Sequence, residues 1–471
     1  MRSIPSRRGV SAALILFLGL TTVVGADAAP YADEAPYPDA APYADAAPRH
    51  AHPSPLQGAR SAPPEPSPAD IARASRLRID LVTMGPGDAV WERFGHNALR
   101  VYDPLTGEDV TYNYGMFDFA AEDFYPRFFR GDMLYWMEGF DTRNVVYSYI
   151  ASNRSVYSQE LNLTPEQKAR LVTFLEWNAR EENRYYAYHY YRDNCSTRVR
   201  DAIDYALGGQ LREALAGVPT GTTYRSHTLR LTADDLPVYT GLNLAMSAVI
   251  DQPLSAWEES FLPLELHRHI RDVRVRGADG ELEPLVLSEL VVFEANRVAP
   301  PAEPPNRVVG YLAAGAALGT LFLALGRRAA RGARVGRVGL VVLGGLWALV
   351  VGVFGTVIAL LWALTNHDVT YGNENLLQVN PLPLALVVLL PLAVARGRAW
   401  RATEAVTWAV AGLSAAGLLL QAIPGLDQVN GEIIALAFPA HLGLAGALSM
   451  VRRGAEAPRD ALTPRSTPVE V

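Results

Sequence analysis

The sequence predicts a two-part protein, an α+β domain on the outer side of a membrane followed by an all-α membrane bundle of about five helices. Three observations carry this. The 471 residues average 49% hydrophobic with a net charge of −7, but those averages conceal a polar first two-thirds and a very apolar last third. Arginines collect in alternate loops of the apolar part, as the positive-inside rule requires of a membrane bundle. An N-terminal stretch reads as an export signal. The mild negative charge gives no reason to expect a nucleic-acid partner. With a single cysteine, neither an internal disulfide nor a multi-cysteine metal site can form.

From the N-terminus, Arg2, Arg7 and Arg8 precede the apolar run from Ala12 to Val24, and Ala26-Asp27-Ala28 has a small-x-small cleavage pattern, so residues 1–28 are expected to be a signal peptide. Within 29–69, residues 29–48 repeat Ala-Pro-Tyr with acidic spacers, and the chain stays proline-rich to Pro68. Such a stretch cannot bury enough apolar surface to order itself and reads as an extended tether. The outer domain is expected over 70–300, with Pro300 to Pro305 marking a linker (301–307), a membrane region over 308–453 and a tail over 454–471.

Within the outer domain, Ile79 to Val82 reads as a strand, Gly85-Pro86-Gly87 as a turn, and Phe94 to Tyr102 as a second strand. Val110 to Gly115 is its hairpin partner across an Asp-Pro-Leu-Thr-Gly turn. The aromatics from Phe117 to Phe140 are expected mainly in the core; the alternative is a groove for acyl chains or a bilayer contact helped by Arg127 and Arg130. Thr164, Pro165 and Gln167 spell a capping box ahead of a helix running to Asn178. Beyond Leu207, Thr223-Tyr224-Arg225 is read as a polar loop. Leu285 to Leu287 and Leu290 to Phe293 are late strands.

Cys195 follows two good N-cap residues, Asp193 and Asn194, and precedes Val199, Ile203 and Leu207 at the spacing of one buried helix face. The thiol is therefore expected on the first turn of a helix, where unpaired N–H groups and the macrodipole favour an anion and lower its pKa. A lone cysteine is otherwise a small buried hydrophobe, but Asp, Asn, Ser and Arg flank this one. A thiol nucleophile needs a base. Of nine histidines, His50 and His52 lie in the tether, His227 in a polar loop, His267 and His269 in a charged and solvated loop, and His441 in a span. His96 stands on a strand in a polar break of an apolar run and is the chosen partner, with His189 as competitor. Asn113 on the hairpin strand is the group chosen to orient the imidazole, with Asp118 as alternative. No Gly-x-Ser-x-Gly elbow, His-Glu-x-x-His site or phosphate-binding glycine loop occurs, so no metal or cofactor is expected.

Five apolar stretches are candidates to span a bilayer: Val308 to Gly326, Val338 to Leu364, Pro381 to Ala395, Ala405 to Ile423 and Ile433 to Val451. The third is short. Arg327, Arg328, Arg331, Arg334 and Arg337 fill the first loop, Arg396, Arg398 and Arg401 the third, and Arg452 and Arg453 follow the last span, whereas the second and fourth loops have no Lys or Arg. The arginine loops are thus cytoplasmic and the 70–300 domain is outside. The second loop, Thr365 to Asn375, is outside too and rich in polar groups, some of which run on into the apolar stretch. Polar groups at membrane depth are costly unless they bind something, so this loop is expected at the active site.

FGHNALRVY, TYNYGMFDF and YRDNCSTRVRDAID, in that order before a multi-span region, resemble the extracytoplasmic domain of the Lnb family of lipoprotein intramolecular transacylases. The resemblance covers roughly Ile79 to Leu266 and extends to the run beginning His367-Asp368. The His-before-Cys order is also similar to the permuted papain-like fold of lecithin retinol acyltransferase, a relation of the NlpC-type peptidases. The resemblance implies a Cys–His acyltransferase acting on membrane lipoproteins or lipids at the cell membrane, moving an acyl chain from the diacylglyceryl-cysteine through a Cys195 thioester to the α-amino group. Candidate substrate-binding residues are Asn194 and Arg198 beside the thiol, Tyr224 and Arg225, and His367, Asn373 and Asn375 in the outer loop. The alternatives are a membrane-anchored cysteine peptidase or amidase acting on cell wall, and a non-catalytic membrane receptor for lipid or peptide.

Overall fold

A computed structural model of the chain describes residues 62–396 and 400–456. The expected signal peptide, nearly all of the tether and most of the tail lie outside the described residues. The chain divides into two compact units, one of residues up to Thr240 with Gln252–Pro304, the other of Gly241–Asp251 with Pro305 onward.

The first unit is α+β. Its sheet has seven strands: β1 (Arg78–Met84), β2 (His96–Tyr102), β3 (Asp109–Met116), β4 (Leu134–Asp141), β5 (Val156–Leu161), β6 (Tyr185–Ala187) and β7 (Val286–Phe293). They lie in the order β7-β5-β1-β2-β3-β4-β6, with every neighbour antiparallel. Leu285 belongs to no strand, and the two late strands expected from the sequence are the single edge strand β7, bent by register shifts.

Alternation along these strands sorts residues onto two faces. Ile79, Leu81, Leu99 and Val101 bury one face against α4 (Pro165–Asn178) and α5 (Cys195–Ala206), chiefly Leu171, Phe174, Leu175, Val199 and Ile203. Val82, Met84, Ala98 and Val156 bury the other against Val145 of α3 (Thr142–Ala151). Two shorter helices precede these in the chain, α1 (Pro68–Ala74) and α2 (Phe124–Arg130). Helix α4 starts where the capping box places it: Thr164 Oγ1 accepts the Gln167 N–H and Gln167 Oε1 accepts the Thr164 N–H at 2.9 Å. The aromatics from Phe117 to Phe140 depart from expectation. None of the nine is fully buried: six lie from Phe117 to Phe129, where α2 buries none of its residues, and Tyr135, Trp136 and Phe140 on β4 are half-buried.

Thr223-Tyr224-Arg225 is not a loop. Thr223 Oγ1 accepts the Ser226 N–H and starts α6 (Tyr224–Leu231), which buries Arg225 and His227. His267 and His269 lie on α7 (Pro263–Ile270) rather than in a solvated loop.

The second unit is helical. Among the described residues four helices are long and apolar enough to cross a membrane: α8 (Val308–Ala330), α9 (Arg334–Leu364), α11 (Trp400–Leu420) and α12 (Gly431–Glu456). The fifth stretch forms only the 13-residue α10 (Leu384–Arg396), shorter than a spanning helix needs. Pro381 and Pro383, which lack N–H groups, precede its start, and the residues before them form a 3₁₀ turn, Glu374–Leu377. Helices α8 and α12 approach closely through glycines: a Cβ on Gly443 would stand 2.4 Å from the Gly319 Cα. Small residues that let backbones meet are how membrane helices pack without a hydrophobic drive.

The cap on α4 gives the first prediction. Thr164→Ala, which removes one end of the reciprocal pair, should lower the stability of the first unit by about 1 kcal/mol, read as a fall in the melting temperature. An unchanged melting temperature would contradict it.

Candidate active site

Asn194 fixes the start of α5. Its Oδ1 accepts the N–H groups of Ser196 and Thr197, both at 2.9 Å, while its Nδ2 donates to the carbonyls of Tyr190 (2.9 Å) and Phe261 (3.0 Å). Ser196 Oγ donates to the Ser260 carbonyl at 2.7 Å and accepts from Asn97 Nδ2 at 3.0 Å. Cys195 is therefore the first residue of a helix whose start is tied to β2 and to the 260–263 segment. The thiol sulfur faces the backbone N–H groups of Asn97, Ser196 and Cys195 itself. Gly115 is the other neighbour. With φ at +88°, it holds a conformation that suits glycine, and a Cβ there would stand 3.4 Å from the Cys195 Cβ.

His96 and Asn113 come from the adjacent strands β2 and β3, where Ala98 pairs with Asn113. Their side chains meet: His96 Nε2 lies 3.1 Å from Asn113 Oδ1. Asn113 Nδ2 donates to the Thr111 carbonyl at 3.1 Å, so the amide oxygen is turned to the ring and accepts. The proton is then on Nε2, which leaves Nδ1 as the basic nitrogen. The ring stacks on Tyr149 at 6.0 Å, and the Arg154 guanidinium lies 4.6 Å from the centre of the same tyrosine. Arg154 is itself held by the Gly85 carbonyl and Glu92. His96, Asn113 and Cys195 thus share one neighbourhood, since the thiol rests on the residue after His96 and beside the glycine two after Asn113.

The electrostatics differ from the sequence expectation. Burial pushes the thiol up to about 11, outweighing the N–H groups at the helix start and the Arg154 charge, which favour the anion. Burial, with Arg154 adding to it, pushes His96 down to about 4, against the Asn113 hydrogen bond that raises it. Near neutral pH the resting pair is a thiol and a neutral imidazole rather than an ion pair.

The other sequence candidates make contacts of their own. Arg198 is buried, donates Nη2 to Asp193 at 2.6 Å and covers the Tyr186 ring at 4.3 Å, which makes it a brace within α5. Arg225 is buried in α6, and Tyr224 packs its ring on Tyr191 and Phe261. His189 Nδ1 accepts the N–H groups of Tyr191 and Arg192 in a turn. The Asp118 carboxylate accepts the Ala120 N–H. In the second unit, Asn373 Nδ2 donates to the carbonyls of Leu244 and Ala245, and Asn375 Nδ2 to those of Asn243 and Leu244. His367 stands just before a 3₁₀ turn, Asp368–Thr370.

Sequence reasoning missed two features. One is the Tyr149–Arg154 stack behind His96, for which no local motif exists. The other is a knot around buried Glu259, whose oxygens meet His227 Nε2 (2.8 Å), His269 Nε2 (2.7 Å), Thr222 Oγ1 (2.7 Å) and Arg268 Nη2 (2.9 Å). These bonds pull its carboxyl well below the usual range despite burial. Glu259, Glu265 and His269 offer ligand atoms within 4.8 Å of one another. Arg268 and Arg230 already bond those two carboxylates, so the cluster is an ion-pair knot with little net charge left for a cation. Glu259 immediately precedes Ser260, whose carbonyl holds Ser196.

Fold and site together define an integral membrane protein whose first unit, an α+β domain, gathers one thiol, one imidazole and one amide. Residues 66–230 match the family model described as Lnb N-terminal periplasmic domain, and residues 333–424 match the Lnb transmembrane domain. The chain belongs to the Lnb family. That places it among lipoprotein-modifying membrane proteins, with a periplasmic N-terminal part. No curated protein and no solved structure matches the chain.

Two predictions follow from this geometry. Arg198→Met leaves Asp193 charged and buried without its partner, so it should cost about 3 kcal/mol of stability, and a variant that melts like the parent would contradict the brace. Alkylation of Cys195 by iodoacetamide should keep accelerating with pH beyond 9, because the thiol ionises near 11. A rate that levels off below pH 8 would mean a thiolate already formed at rest.

Proposed function

We propose that the protein is a Cys–His acyltransferase of the cell membrane that carries an acyl chain of a lipoprotein's diacylglyceryl-cysteine to its α-amino group. The observation that carries this reading is the fixed tautomer of His96: an oriented Asn113 amide holds Nε2–H and leaves Nδ1 basic, in the neighbourhood where Asn97, the next residue, meets the thiol. The order of these residues, with the histidine strand before the cysteine helix on an antiparallel sheet, also supports a permuted papain-like character.

In the first half-reaction the Cys195 sulfur attacks the ester carbonyl while His96 Nδ1 takes the thiol proton. With a thiol near 11 and an imidazole near 4, proton transfer accompanies attack rather than preceding it, which is general-base catalysis. The backbone N–H groups of Cys195 and Asn97, which face the sulfur, are suited to hold the oxyanion. The intermediate collapses to a thioester, and the glycerol oxygen leaves with the proton from His96. In the second half the α-amino group attacks the thioester, His96 removes its proton, and the thiolate leaves and is reprotonated. Anchoring the domain to the membrane that holds the substrate raises the effective concentration of both.

Mass spectrometry of lipoprotein N-termini from cells with and without the protein tests the assignment. Acylated α-amino groups that persist in its absence would overturn it, and release of free fatty acid by the purified protein would make it a hydrolase. Cys195→Ala should abolish turnover while leaving the protein folded. His96→Ala should lower kcat by about a hundredfold or more, and Asn113→Ala should lower it less. Because His96 is neutral above about 4, the rate of Cys195 acylation should survive at pH 5 and fall only as pH approaches 4. The α-amino acceptor titrates near neutrality, so the test is read on formation of the Cys195 thioester alone, where an acid limb near pH 6.5 would exclude the buried imidazole as base.

A further inference from the structure

A continuous line of aromatic rings leaves the thiol and ends on the surface of the first unit. Tyr135 and Tyr188 pack on the same margin of the core as Cys195 and stack on each other at 4.2 Å. Phe117 lies 5.1 Å from Tyr135, Phe119 lies 4.7 Å from Phe117, and Trp91 lies 5.4 Å from Phe119, with Phe124 against both Phe117 and Phe119. The inner end is half-buried. At the outer end Trp91 is 60% exposed and Phe119 46%, so the line opens onto an apolar surface. Helix α2 adjoins it with four aromatics in seven residues and buries none of them.

These rings are not spare core. Tyr135 and Tyr188 flank the core layer, but Phe117, Phe119, Phe124 and Trp91 belong to neither of the two layers that cover the sheet. Their polar atoms are few: only the hydroxyls of Tyr135 and Tyr188, both at the thiol end, and the Trp91 indole N–H interrupt the apolar surface. A linear, chain-like apolar group fits such a line. A headgroup or peptide, which needs hydrogen-bonding partners, does not.

We propose that the line from Tyr188 and Tyr135 through Phe117 to Phe119, Phe124 and Trp91 is the binding track for a long acyl chain whose carbonyl carbon lies at Cys195. This rests on the acyl-transfer reading and adds to it the residues that select chain length. The track ends on the surface, so the far end of the chain emerges from the domain and long chains are admitted. Trp91 and Phe119 at the open end touch only chains long enough to reach them, whereas Tyr135 and Tyr188 touch every chain.

The test uses the full chain in nanodiscs with p-nitrophenyl butyrate and p-nitrophenyl palmitate. Sulfur attack forms the Cys195 thioester and releases p-nitrophenol, read as a burst and checked by intact mass. In the double variant Trp91→Gln, Phe119→Gln, both exposed positions, the palmitoyl burst should slow by at least about tenfold and the butyryl burst by less than twofold. An equal fall for both donors, or no fall for either, overturns the track while leaving the thioester chemistry intact. Absence of any acyl adduct on wild-type Cys195 overturns the chemistry instead, and a second readout then decides the track: diazirine-bearing palmitate should crosslink within 117–135 or at Trp91 in Cys195→Ser. Adducts only elsewhere, or adducts here from a diazirine-bearing bulk phospholipid but not from free palmitate, which would make the patch a bilayer contact, overturn it.

Discussion

The side-chain amide of Asn194 is the joint on which the first unit depends. One residue caps a helix with its oxygen and ties that helix with its nitrogen to two carbonyls, that of nearby Tyr190 and that of distant Phe261. Each bond satisfies a backbone group that would otherwise be buried without a partner, where the penalty is largest. Cys195 follows immediately, so its position is set by the cap rather than by its own contacts. The Glu259 knot makes the same joint firmer from behind. It fixes the segment whose next carbonyls, from Ser260 and Phe261, receive Ser196 and Asn194.

The site is a contest between a helix end and a hydrophobic wall. The N–H groups around the sulfur favour a thiolate, yet the rings beside it exclude water, and loss of hydration outweighs a few hydrogen bonds. The same exclusion keeps His96 uncharged. A neutral thiol and a neutral imidazole leave no separated charge in the resting site. Tyr149 stiffens this arrangement by stacking on the face of the imidazole, with Arg154 over the same tyrosine.

The second unit solves a different problem. Asn373, Asn375 and Gln428 direct their amide nitrogens to the carbonyls of 243–246, so the outer polar loop closes on a strap of chain contributed from before the membrane region. That accounts for amides at the edge of an apolar stretch: they are bonded to backbone, and polar groups there persist when partnered.

Much of this was legible in the sequence because it depends on local spacing. The α4 capping box, the β2–β3 hairpin, the start of α5 at Cys195 and the four long apolar helices all follow from residues within a few positions of one another. The pairing of His96 with Asn113 followed from strand neighbourhood. What only tertiary structure decided depends on groups distant in the chain. Burial reversed the expected direction of the thiol's ionisation, and Asp193 turned Arg198 inward. Glu259 drew His227 and His269 out of the solvent, and a strap from 241–251 engaged the loop amides. The physical reason is common to all of these. A hydrogen bond or a charge is worth what its surroundings leave of it, and the surroundings are assembled from residues that the linear sequence keeps far apart.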